Sequence, residues 1–250
     1  MRLRFVDARV WRYSIAAVED LIENAIMVVN ESGLMMRAMD PAHVAMIEFM
    51  IPREGFDIID IDKEYRIPVN LENMMKILRR AGKKDEIVIE YQPPSIRVGL
   101  SSPEGVERFF EFSALSPGVV EEPPELSLEF PVKASVVPQA FRSSYKVLSE
   151  VGEVFEIVSD QSKMLLQSSS EIGEVFIELS QESGLLRSYE FKAEKEQRSK
   201  YSLSYLDKIS KVSMISDDVE IAYGESLPIR ITTSLPRSAR LTLYVAPRED

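Results

Sequence analysis

The 250-residue chain contains no cysteine, which excludes disulfides and thiolate metal sites and fits a reducing compartment. It has one histidine, His43. No Cys or second His can complete a zinc site around it, and a lone histidine is expected to be structural rather than catalytic. No run approaches the roughly 20 apolar residues of a membrane-spanning helix, so no membrane partner is expected. The N-terminal stretch Met1-Arg2-Leu3-Arg4-Phe5-Val6 turns polar too early for a signal peptide. A phosphate-cradling glycine loop and a nucleophile elbow are both missing. Together these absences predict a protein with no catalytic residues, no metal and no cofactor. Positive charge is also in short supply: 30 Lys and Arg stand against 41 Asp and Glu, for a net charge of -11. That balance argues against a general nucleic-acid coating protein. What remains, 45% hydrophobic and 28% charged residues, is the composition of a folded globular chain.

The few cations are placed with a pattern. Lys76 and Arg79 are three residues apart, as are Lys208 and Lys211; Arg9 and Arg12 early in the chain are echoed by Arg142 and Lys146. Residues 70–84 hold Lys76, Arg79, Arg80, Lys83 and Lys84 against the single anion Glu72, a local charge of +4. For one helix a solvated amphipathic face explains such a cluster, and Lys83 and Lys84 also suit the negative end of a helix dipole. Four repetitions at matching places point instead to a surface past which a polyanion moves. Phosphate contact needs positive charge without base-reading geometry. Nothing resembles a recognition helix or a base-stacking platform, so the expected DNA binding is sequence-independent, weak and salt-sensitive. The densest acid run, Asp57, Asp60, Asp62 and Glu64, could suggest a metal-dependent nuclease. It lacks the glycine turn of a calcium loop and is interrupted by Lys63, so it reads as a solvated loop or edge strand.

The chain divides near its middle. Residues 116–129, SPGVVEEPPELSLE, carry three prolines, a glycine and four glutamates and cannot sustain a helix or central strand. This predicts domains at 1–115 and 130–250 joined by a semi-rigid connector at 116–129. The halves share an order of elements at an offset of roughly 130 residues, which indicates a duplicated domain rather than a solenoid. Strands are predicted over 3–8 and 132–137, then helices over 9–25 and 139–151. Hairpins follow over 25–39 and 154–168, turning at 30–33 and 159–162. Further strands are predicted at 44–51 and 174–179, and second helices over 71–81 and 203–212. The closing strands fall at 86–91, 96–100 and 107–112, and at 219–222, 229–233 and 240–246. The helical spacing of Trp11, Ile15, Val18 and Ile22, of Leu71, Met74, Met75 and Leu78, and of Leu203, Leu206, Ile209 and Val212 supplies the buried faces.

Several motifs now carry a resemblance. Ala38-Met39-Asp40-Pro41-Ala42-His43-Val44, Glu54-Gly55-Phe56-Asp57, Val69-Asn70-Leu71, Lys76 through Gly82, Tyr205-Leu206 with Lys211, and Leu243-Tyr244-Val245-Ala246-Pro247 occur in order across nearly the whole chain. They resemble the sliding clamp family, proliferating cell nuclear antigen, in its archaeal form. The resemblance implies an α+β fold of duplicated clamp domains, with antiparallel sheets outside and two helices per domain lining a three-subunit ring. Arg9, Arg12, Lys76, Arg79, Arg80, Lys83, Arg142, Lys146, Lys208 and Lys211 would then face double-stranded DNA. Arg108, Phe109, Phe110, Glu111 and Phe112 of one subunit would meet Val175, Phe176, Ile177 and Glu178 of the next, in a homotrimer or a heterotrimer of related subunits. A client-peptide groove is implied at Met39, His43, Val44, Met46, Val119, Val120, Leu126, Phe130, Tyr244, Ala246 and Pro247. The implied partners are DNA polymerase, clamp loader, flap endonuclease and DNA ligase, in the cytoplasm of an archaeal cell at the nucleoid. The other reading is a clamp-like adaptor or checkpoint subunit that recruits partners without supporting polymerase. Glu19 and Glu150 depart from the family's basic lining and make it uneven.

Overall fold

The computed structural model describes residues 1–248. It divides into two compact units. The first comprises Met1–His43, Ile47–Pro124 and Leu235–Leu241; the second comprises Val44–Met46, Glu125–Ser234 and the chain from Thr242.

The elements of the first half are β1 (Arg2–Phe5), α1 (Ala8–Glu19), β2 (Asn24–Asn30), β3 (Gly33–Met39), β4 (Ala45–Pro52), β5 (Ile58–Asp60), β6 (Tyr65–Asn70), α2 (Leu71–Leu78), β7 (Glu86–Gln92), β8 (Ser95–Ser101) and β9 (Glu107–Ser113). Those of the second are β10 (Val132–Val136), α3 (Pro138–Val151), β11 (Val154–Ser159), β12 (Lys163–Ser170), β13 (Gly173–Ser180), β14 (Leu186–Phe191), β15 (Gln197–Ser202), α4 (Leu203–Val212), β16 (Asp218–Tyr223), β17 (Ile229–Ser234) and β18 (Arg240–Val245). The order is the same in both, and the duplication extends to strand pairing. In the first unit the strands run β5-β1-β7-β8-β9 and β4-β3-β2-β6; in the second the equivalents run β14-β10-β16-β17-β18 and β13-β12-β11-β15.

Local chemistry starts the helices where they start. Asp7 caps α1 by accepting from the Arg9 amide, and Asn70 caps α2 by accepting from the Asn73 amide at 3.0 Å. Pro138 opens α3, where its missing N–H is harmless. Trp11, Ile15 and Val18 are buried, and the Trp11 ring meets Phe49 edge-to-face at 5.6 Å. In the second unit Phe141 and Leu148 of α3 and Leu203, Leu206, Ile209 and Val212 of α4 are buried.

The first helix is shorter than its periodicity predicts. It ends at Glu19 rather than at residue 25: the Leu21 amide tightens the last turn by bonding the Val18 carbonyl three residues back, a carbonyl it shares with the Ile22 amide, both at 2.9 Å, and the chain enters β2 at Asn24. Ile22 remains buried from that turn, which is why it continued the helical spacing. Glu23 consequently lies outside the helix, and its carbonyl accepts the Leu71 amide at the start of α2. Residues 114–131 contain neither helix nor strand. The first part of this segment is tied down: the Leu115 amide bonds the Pro68 carbonyl at 2.9 Å, and Glu122 pairs with Arg66.

Candidate nucleic-acid and subunit surfaces

Within each unit the two helices pack against each other, α1 on α2 and α3 on α4. Their apolar stripes face inward, so the cations take the remaining face. On α2, Lys76 and Arg79 have side chains 58% and 61% exposed, and Arg80 and Lys83 are exposed as well. Lys146 and Lys211 are exposed on α3 and α4, while Lys208 is half-buried. The ten predicted DNA-facing residues therefore lie on or beside the helix pairs of the two units.

Most of these cations already have a protein partner. Lys76 pairs with Glu72 at 2.9 Å and Lys211 with Asp207 at 2.7 Å, both one helical turn apart. Arg79 reaches across to Glu19 on α1 at 2.5 Å. Partial burial raises the Glu19 carboxyl above its ordinary range, and the Arg79 charge pulls it back. Glu19, the apparent defect in a basic lining, is thus the group that fixes Arg79. Arg9 is held by Asp7 at 2.7 Å, and the Arg80 guanidinium lies 5.2 Å from the Phe110 ring centre. From the sequence, Glu72 reads only as a charge and Asp207 does not stand out, although a spacing of four residues before a lysine is the signal that finds such pairs.

Arg12 and Arg142 have a different task from the lysines. Arg12 donates to the Ala81 carbonyl just beyond α2 at 3.3 Å, and Arg142 donates to the Ser213 carbonyl at the end of α4 at 2.6 Å. Each arginine of a first helix thereby ties down the carbonyl end of its partner helix, where a cation is favoured by the dipole. We expect Arg12→Ala to lower unfolding stability by about 1 kcal/mol and Arg142→Ala, with the shorter and less exposed bond, by about 2 kcal/mol. Urea midpoints at constant m-value measure this. Midpoints equal to wild type would show that the bonds contribute nothing.

Two sheet edges form the second surface. Strands β9 and β13 each end their sheet. Both alternate strictly: Glu107, Phe109 and Glu111 point to one face of β9, and Arg108, Phe110 and Phe112 to the other. On β13, Glu174, Phe176 and Glu178 share one face, and Val175, Ile177 and Leu179 the opposite one. Phe109 and Phe176 are 45% and 58% exposed, unusually open for large rings on strands. Arg108 is drawn inward by buried Asp85 and by the Arg80 carbonyl. Beside β13 an open cavity of about 530 Å³ is lined by Val137, Ala140 and Val147 from the α3 side and by Val175, Ile177 and Leu185. Only four of the fourteen residues of α3 are buried, against seven of twelve in α1, so this flank of α3 lacks a covering element. The cavity was not legible in the sequence.

With this geometry in view, similarity to known proteins is decisive. Residues 1–100 match the N-terminal domain of proliferating cell nuclear antigen. The chain is 36% identical over 251 residues to DNA polymerase sliding clamp 3 of Aeropyrum pernix, covering 99% of this chain and 98% of that protein. The chain belongs to the sliding clamp family. It is also 32% identical to DNA polymerase sliding clamp 3 of Sulfurisphaera tokodaii over the whole of both chains. The crystal structure of the PCNA2–PCNA3 complex from Sulfolobus tokodaii contains a chain of the same fold, with a TM-score of 0.89 at 30% identity and 99% coverage of each chain.

The residues of the clamp's implied peptide groove fall in both units. In the first, Met39 closes β3 half-buried, and His43 is exposed with a positive φ of 57°, a turn conformation. Val119 is exposed and Val120 half-buried in the segment without helix or strand. In the second unit Val44 is half-buried and accepts the Ala246 amide at 2.8 Å. Leu126, Ala246 and Pro247 are half-buried, whereas Met46, Phe130 and Tyr244 are buried. Arg230 covers the Phe130 ring at 5.1 Å. The acid run at 57–64 is dispersed: Ile58–Asp60 pair with β1, Asp57 bonds Arg237, and Asp62 accepts the Tyr65 hydroxyl at 2.5 Å, which lowers the Asp62 pKa.

Proposed function

We propose that this chain is one subunit of a ring-shaped DNA sliding clamp that encircles duplex DNA and tethers DNA polymerase and other replication and repair proteins. Family membership supports this reading, and the observation that carries it is the duplicated helix pair. Each unit buries the apolar stripes of two helices against its sheets and leaves cations on the other side. Arg9, Arg12, Lys76, Arg79, Arg80, Lys83, Arg142, Lys146, Lys208 and Lys211 form the DNA-facing set, with Arg12 and Arg142 also bracing the helices. The work is topological rather than catalytic. A closed ring needs no tight grip to stay on its track, and cations already shared with neighbouring acids attract phosphate without holding it.

The domains are 1–115 and 130–250, and the connector 116–129 borders the groove that takes client peptides. An extended, proline-bearing segment offers backbone groups to an added peptide strand, and methionines such as Met39 suit a surface serving several partners. Through that groove the clamp engages polymerase, clamp loader, flap endonuclease and ligase in the archaeal cytoplasm. Subunits join through β9 and β13, and assembly with related subunits is supported by the PCNA2–PCNA3 complex of its relative. The test is topological retention. Clamp loaded onto a nicked circle should remain bound through gel filtration and be lost when the circle is cut once. Equal retention on circular and linear DNA would overturn the ring.

A further inference from the structure

A cavity of about 600 Å³ opens on the sheet β13-β12-β11-β15 of the second unit. It lies on the face opposite the one against which α3 packs. Alternation along β15 puts Arg198 and Lys200 on this face, while Gln197, Ser199 and Tyr201 are buried beneath. One row across the strands reads Lys200, Glu156, Gln167, Phe176, each directly opposite the next. Beside that row Val154 and Ser169 are short, so the surface sinks there.

The charges around the cavity are not evenly mixed. Glu156 is only 13% exposed, accepts from the Gln167 side-chain amide and pairs with Arg198 at 3.3 Å. The other acid, Glu174, stands on β13, three strand spacings or about 14 Å from β15. Lys200 and Arg248 form the opposite, cationic end. On a chain with a net charge of -11, such an end draws anionic groups that the rest of the surface repels. Its position says which anions arrive. Ala246 and Pro247 belong to the proposed client groove, and the Ala246 amide bonds the Val44 carbonyl at 2.8 Å. Two residues on, the Arg248 amide bonds the Lys200 carbonyl at 2.9 Å. Two residues of extended chain cover about 7 Å, so a client segment leaving the groove past Pro247 reaches Lys200 and Arg248 within two or three residues.

We propose that this cavity is a second docking subsite for client proteins, and that it takes aspartates or glutamates flanking the aliphatic and aromatic anchors of the client segment. The inference rests on the client-groove reading. Fluorescence anisotropy tests it with synthetic peptides that carry one anchor segment flanked by four glutamates, four serines or four lysines, on each terminus in turn. At one terminus the glutamate flank should bind about twofold to thirtyfold tighter than the serine flank, the range that two exposed charge pairs supply. The lysine flank should bind no better than serine, although the net charge of the whole chain favours it. Added salt should erase the preference. Lys200→Gln with Arg248→Gln should abolish it and leave the serine-flanked peptide unaffected, which shows that fold and groove are intact. Arg248→Gln alone, at an exposed position, should remove part of it even if the double variant folds poorly. Equal binding of the glutamate and serine flanks by wild type, or a preference that the variants keep, would overturn the inference and leave the groove reading intact. If no peptide bound, the groove reading would fall and the subsite with it.

Discussion

The variant carrying Lys76→Glu, Arg79→Glu, Lys208→Glu and Lys211→Glu is expected to lose stimulation of polymerase on primed circular DNA, falling to the level seen without clamp. The proposed DNA-facing role requires few changes for this loss. Lys76 and Lys211 sit in solvent-facing pairs with Glu72 and Asp207, and Arg79, itself exposed, pairs with the partly buried Glu19. Exposed pairs of this kind contribute about 0–1 kcal/mol, so each cation can exchange its carboxylate for a passing phosphate at little expense. Reversal leaves the acids in place and adds four more, converting a lining that barely attracts DNA into one that repels it. The salt dependence reports the same change: for every phosphate no longer neutralised, the slope of log K against log salt flattens by about 0.9. The fold should survive, since a like-charged pair one turn apart on a helix, as at positions 72/76 and 207/211, costs only a few tenths of a kcal/mol, and the new carboxylate at position 79 can swing away from Glu19 into solvent. Assembly mass, measured with whatever subunits complete the ring, should be unchanged. Full stimulation by an assembled variant would remove these helices from the DNA path.

Much of this architecture could be read from residues alone, and the part that could not has a common physical cause. The helices and the strands with a buried face were legible because burial imposes a period. Three strands escaped, β6, β14 and β15, and a fourth, β5, lies in the acid run that reads equally as a solvated loop or an edge strand. Each lies at the edge of its sheet. An edge strand is solvated along one side, so its residues need not alternate cleanly, although those of the edge strands β9 and β13 do. β6 also contains Pro68, which argues against a central strand and is tolerated here because β6 pairs only with β2. β15, with Arg198 and Lys200 among buried Gln197, Ser199 and Tyr201, alternates by burial but not by hydrophobicity. The candidate site was legible as a set of cations and illegible as a set of bonds. Spacing placed Arg12 and Arg142 beside the other basic residues. Only coordinates reveal that each donates to a carbonyl about 70 residues away.

The second large effect concerns alkali. Tyr201 on β15 and Tyr223 on β16 are fully buried in the second unit, and their hydroxyls donate to the Leu227 carbonyl at 2.7 Å and the Gln197 carbonyl at 3.1 Å. Burial raises both phenol pKa values well above the ordinary range, because a phenolate there would lose its hydration and face a carbonyl oxygen. The unfolded chain releases these protons near pH 10, whereas the native chain retains them. Above pH 10 the native state therefore binds more protons than the unfolded state, and stability must fall as pH rises. Each tyrosine contributes about 1.4 kcal/mol per pH unit, so the pair contributes about 2.7. Between pH 10 and 12 that reaches about 5 kcal/mol, comparable to the whole stability of a typical domain. The contribution is present in full below pH 10. Urea unfolding of the second unit, followed from pH 8 to 12, should show the decline. Tyr201→Phe with Tyr223→Phe should flatten it while lowering stability at pH 8 by about 1–3 kcal/mol for each carbonyl left without its donor. The stability curves of wild type and double variant should accordingly converge, or cross, in alkali. Parallel curves would show that these hydroxyls ionise as freely in the folded protein as in the unfolded one.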